Sequence, residues 1–118
     1  MYNEGTIIAL SSPPGSGAIA IIRLSGDNAI SKTDLFFKSK SGKKITDCSG
    51  YSISYGDLIE KDEVIDEVVV SVYKAPHSYT GENVIEISCH GSNYIQQRIL
   101  TLFTDAGVRL ASPGEFTL

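Results

Sequence analysis

Residues 66–73 read DEVVVSVY, and this run limits the possible folds more than any other segment of the chain. Side chains alternate between the two faces of a strand, so Val68, Val70 and Val72 point one way and Val69 the other. A strand that is apolar on both sides in its middle belongs inside a sheet rather than at its edge. The remaining sequence must supply the neighbouring strands.

Residues 6–10 and 18–24 are apolar, β-branched runs separated by SSPPGSG, whose prolines and glycines cannot continue a strand. Tyr51, Ile53 and Tyr55 alternate with Ser52 and Ser54 at the period of a half-buried strand. The acidic turn 60–63 joins that strand to the valine run. Residues 84–89 form another strand after the loop KAPHSYTGEN, and residues 108–111 a short extended piece.

Two helices are predicted. Ser25, Gly26 and Asp27 offer a cap for a helix over 27–37, with Ile30, Thr33 and Phe37 at helical spacing. A clearer helix opens at Gly91 and Ser92. It carries Ile95, Ile99, Leu102, Phe103 and Ala106 on one stripe, with Gln96, Gln97, Thr101 and Asp105 facing away, and it ends at Gly107. The stretch 38–49 is rich in Lys, Ser and Gly and is expected to be a solvated loop. Together these elements predict an α+β domain, a mixed sheet of about five strands packed by two or three helices.

The chain has 118 residues, a length that suits one domain. Its net charge of −4 leaves no basic footprint for gripping nucleic acid on its own. Cys48 and Cys89 are too few for a disulfide scaffold and read as reduced thiols of a cytosolic protein. No signal peptide or membrane span is visible, and the ending at Leu118, with no breaker or charged tail, reads as a truncation.

Motifs narrow the chemistry. The loop 12–20 (SPPGSGAIA) lacks the Gly-Lys-Ser/Thr of a nucleotide-binding loop and leads into a strand, which excludes GTP hydrolysis by this chain. A tight connection is its simpler reading. Cys89 and His90 are sequence neighbours on a strand and so point to opposite faces, which rules out a nucleophile–base pair. Cys48, Cys89, His77 and His90 lack zinc-ligand spacing. No catalytic residue and no metal site is expected. Arg23 ends an apolar strand, as a paired structural arginine or as a donor fork for a planar or anionic ligand. Glu82, Val84, Glu86, Ser88 and His90 share one parity, forming a polar stripe opposite the apolar Ile85, Ile87 and Cys89. Such a stripe is either solvated or lines a pocket.

Three blocks, residues 6–26 (TIIALSSPPGSGAIAIIRLSG), 75–92 (APHSYTGENVIEISCHGS) and 106–118 (AGVRLASPGEFTL), resemble the signature blocks of the MnmE (TrmE) family of tRNA-modification GTPases, in the same order. The resemblance implies that residues 1–118 are the amino-terminal tetrahydrofolate-binding and dimerisation domain, related to those of aminomethyl-transfer enzymes. The helical and GTPase domains would lie outside it.

By the same resemblance the domain binds a reduced folate, 5-formyltetrahydrofolate or the 5,10-methylene donor that it mimics, and forms a homodimer. GTP, Mg and K belong to the parent GTPase. That parent acts in the cytoplasm with tRNA and the flavoprotein MnmG (GidA), modifying the wobble uridine at C5. Arg23 and Glu82 match the family's folate contacts, and a third contact, a lysine, falls beyond Leu118. Tyr79 and His90 are weaker pocket candidates. Ser16 and Asn83 depart from the residues usual at their positions, which affects local loop charge. The rival expectations are a purely structural dimerisation domain and a free-standing one-carbon transferase, the latter opposed by the lack of an evident base or nucleophile.

Overall fold

The computed structural model describes residues 5–13, 15–48, 50–74, 82–112 and 115. Seven strands form one sheet: β1 (Ile7–Leu10), β2 (Ile19–Ser25), β3 (Phe37–Ser39), β4 (Tyr51–Glu60), β5 (Glu63–Tyr73), β6 (Val84–His90) and β7 (Arg109–Leu110). Their spatial order is β3-β4-β5-β6-β2-β1-β7. Every neighbouring pair is antiparallel except β1 and β7, which run parallel. The sheet is therefore mixed and the class α+β, as expected. The two strands beyond the expected five are β7, within the short extended piece expected at 108–111, and β3, an edge piece of three residues too short to show a period.

The valine run is interior, with β5 between β4 and β6. Val68, Val70 and Val72 are buried beside Ile85, Ile87 and Cys89 of β6 and Ala20, Ile22 and Leu24 of β2. Two helices cover this face, α1 (Ala29–Phe36) and α2 (Asn93–Asp105). They meet through Phe36 and Phe103, whose rings stand edge-to-face at 5.4 Å. Burying a ring the size of Phe103 stabilises by roughly 1.5–3 kcal/mol.

The ends of α2 follow from its sequence. Ser92 is the N-cap, its hydroxyl accepting from the Ile95 amide at 3.0 Å. Gly107 has φ +98, the left-handed position that favours glycine. Ile99, Leu102 and Phe103 are buried as the stripe predicts. Gln96 is not turned outward: it is 3% exposed, and its amide donates to the carbonyls of Gly15 and Gly91 at 3.0 and 3.1 Å. These two bonds tie the loop at Gly15 to the β6–α2 junction, which accounts for a buried polar residue here.

The start of α1 also differs from expectation. Ser25 belongs to β2, Asn28 occupies the N-cap position without a side-chain cap bond, and the Asn28 amide donates to the Thr6 hydroxyl at 2.9 Å. Residues 38–48 hold more regular structure than their polarity suggests. They contribute to β3 and form a 3-10 turn (Ile45–Asp47), and Ile45 is wholly buried. The Asp34 carboxylate accepts from the amides of Ile45 and Thr46 at 3.1 and 2.9 Å, fixing that turn against α1.

Candidate functional site

The opposite face of the sheet has no helix over it among the described residues. Cross-strand register sets out its rows: Tyr55, Val69, Ser88 and Ile21 in one, then Ile53, Ser71, Glu86 and Arg23, then Tyr51, Tyr73, Val84 and Ser25. Apolar side chains are prominent on it. Ile19 is 65% exposed, Tyr51 59%, Ile53 58% and Tyr55 49%. The alternation in β4 is thus real, but its larger side chains point away from the helices while Gly56 and Leu58 turn into the core.

Polar groups gather on β2 and β6. Arg23 and Glu86 are register partners. One carboxylate oxygen of Glu86 accepts from Arg23 Nε at 2.9 Å and also from Nη2. Two residues further along β2, the buried Ser25 donates its hydroxyl to Glu82 at 2.6 Å. Arg23 and Ser25 therefore lie on adjacent rows of the same face, and Glu82, just ahead of β6, is tied to the second row by the Ser25 hydroxyl.

His90 is placed elsewhere on this surface. It ends β6, four residues from Glu86, a separation of about 13 Å along a strand. Asp66 of β5 holds it twice, accepting from the His90 amide at 2.8 Å and pairing with the ring Nδ1 at 2.6 Å. The ring itself is largely exposed. It stands at the rim of a cleft of about 220 Å³ lined by Ile19, Tyr55, Glu67, Val69 and Ser88 among others. Cys89, next in sequence, points into the core, where burial and then the Asp66 charge push its thiol up to about 11. A buried thiol of that kind is inert as a nucleophile. Tyr79 lies outside the described residues.

Two residues that the sequence reading did not single out for the site, Glu86 and Ser25, complete the arrangement. Glu86 carried a signal: it shares the parity of the polar stripe, and a carboxylate on one strand commonly answers an arginine across from it. Ser25 carried little, since a serine before Gly-Asp reads equally well as a helix cap.

Below the site, the loop after β1 is stitched to the start of α2. The Gly17 amide donates to the Gly91 carbonyl at 3.0 Å, the Gly91 amide to Ala18 at 3.3 Å, and Ser12 accepts from the Ile21 amide at 3.0 Å. These bonds tie the described part of the loop to the β6–α2 junction and to β2. Among the described residues no three His, Cys, Asp or Glu side chains converge in a way that could hold a metal ion. No described helix is long and apolar enough to cross a membrane.

Fold and face together define an α+β domain with one covered and one open sheet surface, the open one bearing a cross-strand arginine–carboxylate pair. The chain belongs to the family described as the GTP-binding protein TrmE N-terminus, whose model matches residues 6–118. Relatives named tRNA modification GTPase MnmE align along its full length. The protein from Flavobacterium psychrophilum is 50% identical over 118 residues, covering 100% of this chain and 26% of the relative. That from Geobacillus kaustophilus is 49% identical over 119 residues, covering 99% of this chain and 26% of the relative. The Clostridioides difficile protein is 44% identical over 117 residues, again with 99% and 26% coverage. The chain thus spans about a quarter of the length of these relatives.

Proposed function

We propose that this chain is the reduced-folate-binding and dimerisation domain of a tRNA-modification GTPase. The observation that carries the folate reading is the bond from Ser25, one row from Arg23 on this sheet face, to the Glu82 carboxylate. A carboxylate with that hold can accept two parallel hydrogen bonds from the amino-pyrimidine edge of a pterin. Arg23 supplies donors on the row next to Ser25, and the apolar side chains of this face offer surface for a flat ring. The ligand is 5-formyltetrahydrofolate or the 5,10-methylene form, a one-carbon donor for chemistry completed by other domains.

The same face supports pairing with a second copy. Ile19, Tyr51, Ile53 and Tyr55 make an apolar surface of a kind that soluble monomers rarely leave uncovered. The outermost strands are only three and two residues long, which blunts edge-to-edge pairing and leaves the face as the stronger contact. In the whole protein, GTP with Mg and K would be handled by a separate GTPase domain. That protein would modify the wobble uridine of tRNA in the cytoplasm together with the flavoprotein MnmG. His90, fixed by Asp66 away from the Arg23 row, is assigned to the wall of the cleft.

Equilibrium binding of 5-formyltetrahydrofolate to the full-length protein tests this reading. Wild type is expected to saturate and Glu82→Gln to bind far more weakly. Equal affinity in the two would remove Glu82 from the pterin edge.

A further inference from the structure

The Arg23–Glu86 pair is a poor stabilising device. Both side chains are a little over a fifth exposed. Exposed pairs contribute little, and partly buried ones lose much of their attraction to desolvation. As a geometric device the pair is strong. A single Glu86 oxygen takes both Nε and Nη2, so it grips one edge of the guanidinium and fixes the plane of the whole group. It also cancels the arginine's charge. With Glu82 bonded to Ser25 on the next row, the described charged side chains in this part of the face are one cation against two carboxylates. A ligand carboxylate brought to Arg23 would meet a site already negative in sum, whereas a neutral carbonyl would meet only oriented donors.

We propose that Glu86 is a positioning and specificity residue for the ligand of this face. It holds the Arg23 guanidinium in plane and neutralises it, so that Arg23 serves an uncharged acceptor, a ring carbonyl of the reduced pterin, and turns away the ligand's acidic tail. The inference rests on the reading of Arg23 as a folate contact.

The test is a double-mutant cycle on the full-length protein, titrated calorimetrically with 5-formyltetrahydrofolate. Glu86→Gln is expected to weaken binding roughly tenfold in the wild-type background and less than about twofold once Arg23→Ala is present, because the residue acts through Arg23. Glu86→Asp, which keeps the charge, should recover most of the loss. At matched ionic strength, inorganic phosphate should compete with the ligand in Glu86→Gln, where the Glu86 charge no longer offsets Arg23, and not in wild type. Additive losses, or competition that is the same in both proteins, would overturn the proposal while leaving the folate reading intact. A wild-type protein that binds no folate at all would instead remove the reading itself, and this inference with it.

Discussion

Gly91 lies against Gly17 so closely that a Cβ on Gly91 would stand 2.2 Å from the Gly17 carbonyl oxygen. The contact is backbone on backbone and is held by hydrogen bonds in both directions between the loop and the β6–α2 junction. Gly91→Ala is therefore expected to destabilise the domain by about 2 kcal/mol or more, since neither chain can yield without breaking the other's bonds. The reciprocal change, Gly17→Ala, places its Cβ within 4 Å of nothing and should stay within about 0.5 kcal/mol of wild type. Urea midpoints of the two variants decide the matter. Equal midpoints would contradict the described packing.

Ile45 is the test of the polar stretch before β4. It is wholly buried inside a segment whose composition reads as solvent-exposed loop. Ile45→Ala should cost roughly 2–5 kcal/mol, the range for deleting a buried aliphatic side chain. Thr46→Ala, beside it and exposed, should cost less than about 0.5 kcal/mol, because its amide bond to Asp34 survives the change.

Alkali should weaken the fold through Cys89. The unfolded thiol titrates near about 8.5, and the folded one is raised to about 11 by burial. Below the first value both states hold the proton and the contribution is intact. Between the two values only the unfolded state releases it, so stability falls as pH rises. Urea midpoints followed from about pH 8 to about pH 10.5 should fall faster in wild type than in Cys89→Ala. At neutral pH, iodoacetamide should label Cys89 only on the timescale of unfolding.

The exposed apolar row on β4 predicts the behaviour in solution. Ile53→Asp places a charge in the middle of the open face while leaving the helix-covered core untouched. Sedimentation velocity should show a wild-type dimer and an Ile53→Asp monomer of unchanged thermal midpoint. A wild-type monomer at micromolar concentration would argue against pairing through this surface.

Much of this architecture was legible in the sequence because it is periodic. The valines of β5, the alternation in β6 and the stripe of α2 each repeat often enough for one face to declare itself. What escaped did so for lack of repetition or of context. β3 is too short to show a period, and Ile45 is a single apolar residue among polar neighbours. Gln96 sits on the polar side of its helix by spacing and is buried only because a distant loop crosses above it. At the site, Arg23 and Glu82 were readable as candidates. That Arg23 answers Glu86 across the strands, and that Ser25 holds Glu82, needed the register. Alternation says which residues share a face and not which of them stand opposite one another.

On the proposed reading, the face of β2 and β6 that bears Arg23 binds a reduced folate through that residue. Calorimetric titration of the full-length protein with 5-formyltetrahydrofolate, beside Arg23→Ala, tests it most directly. Saturable binding is expected of wild type, with affinity lowered by roughly tenfold or more in the variant. Saturable binding that Arg23→Ala leaves untouched, or no binding by wild type, would contradict it.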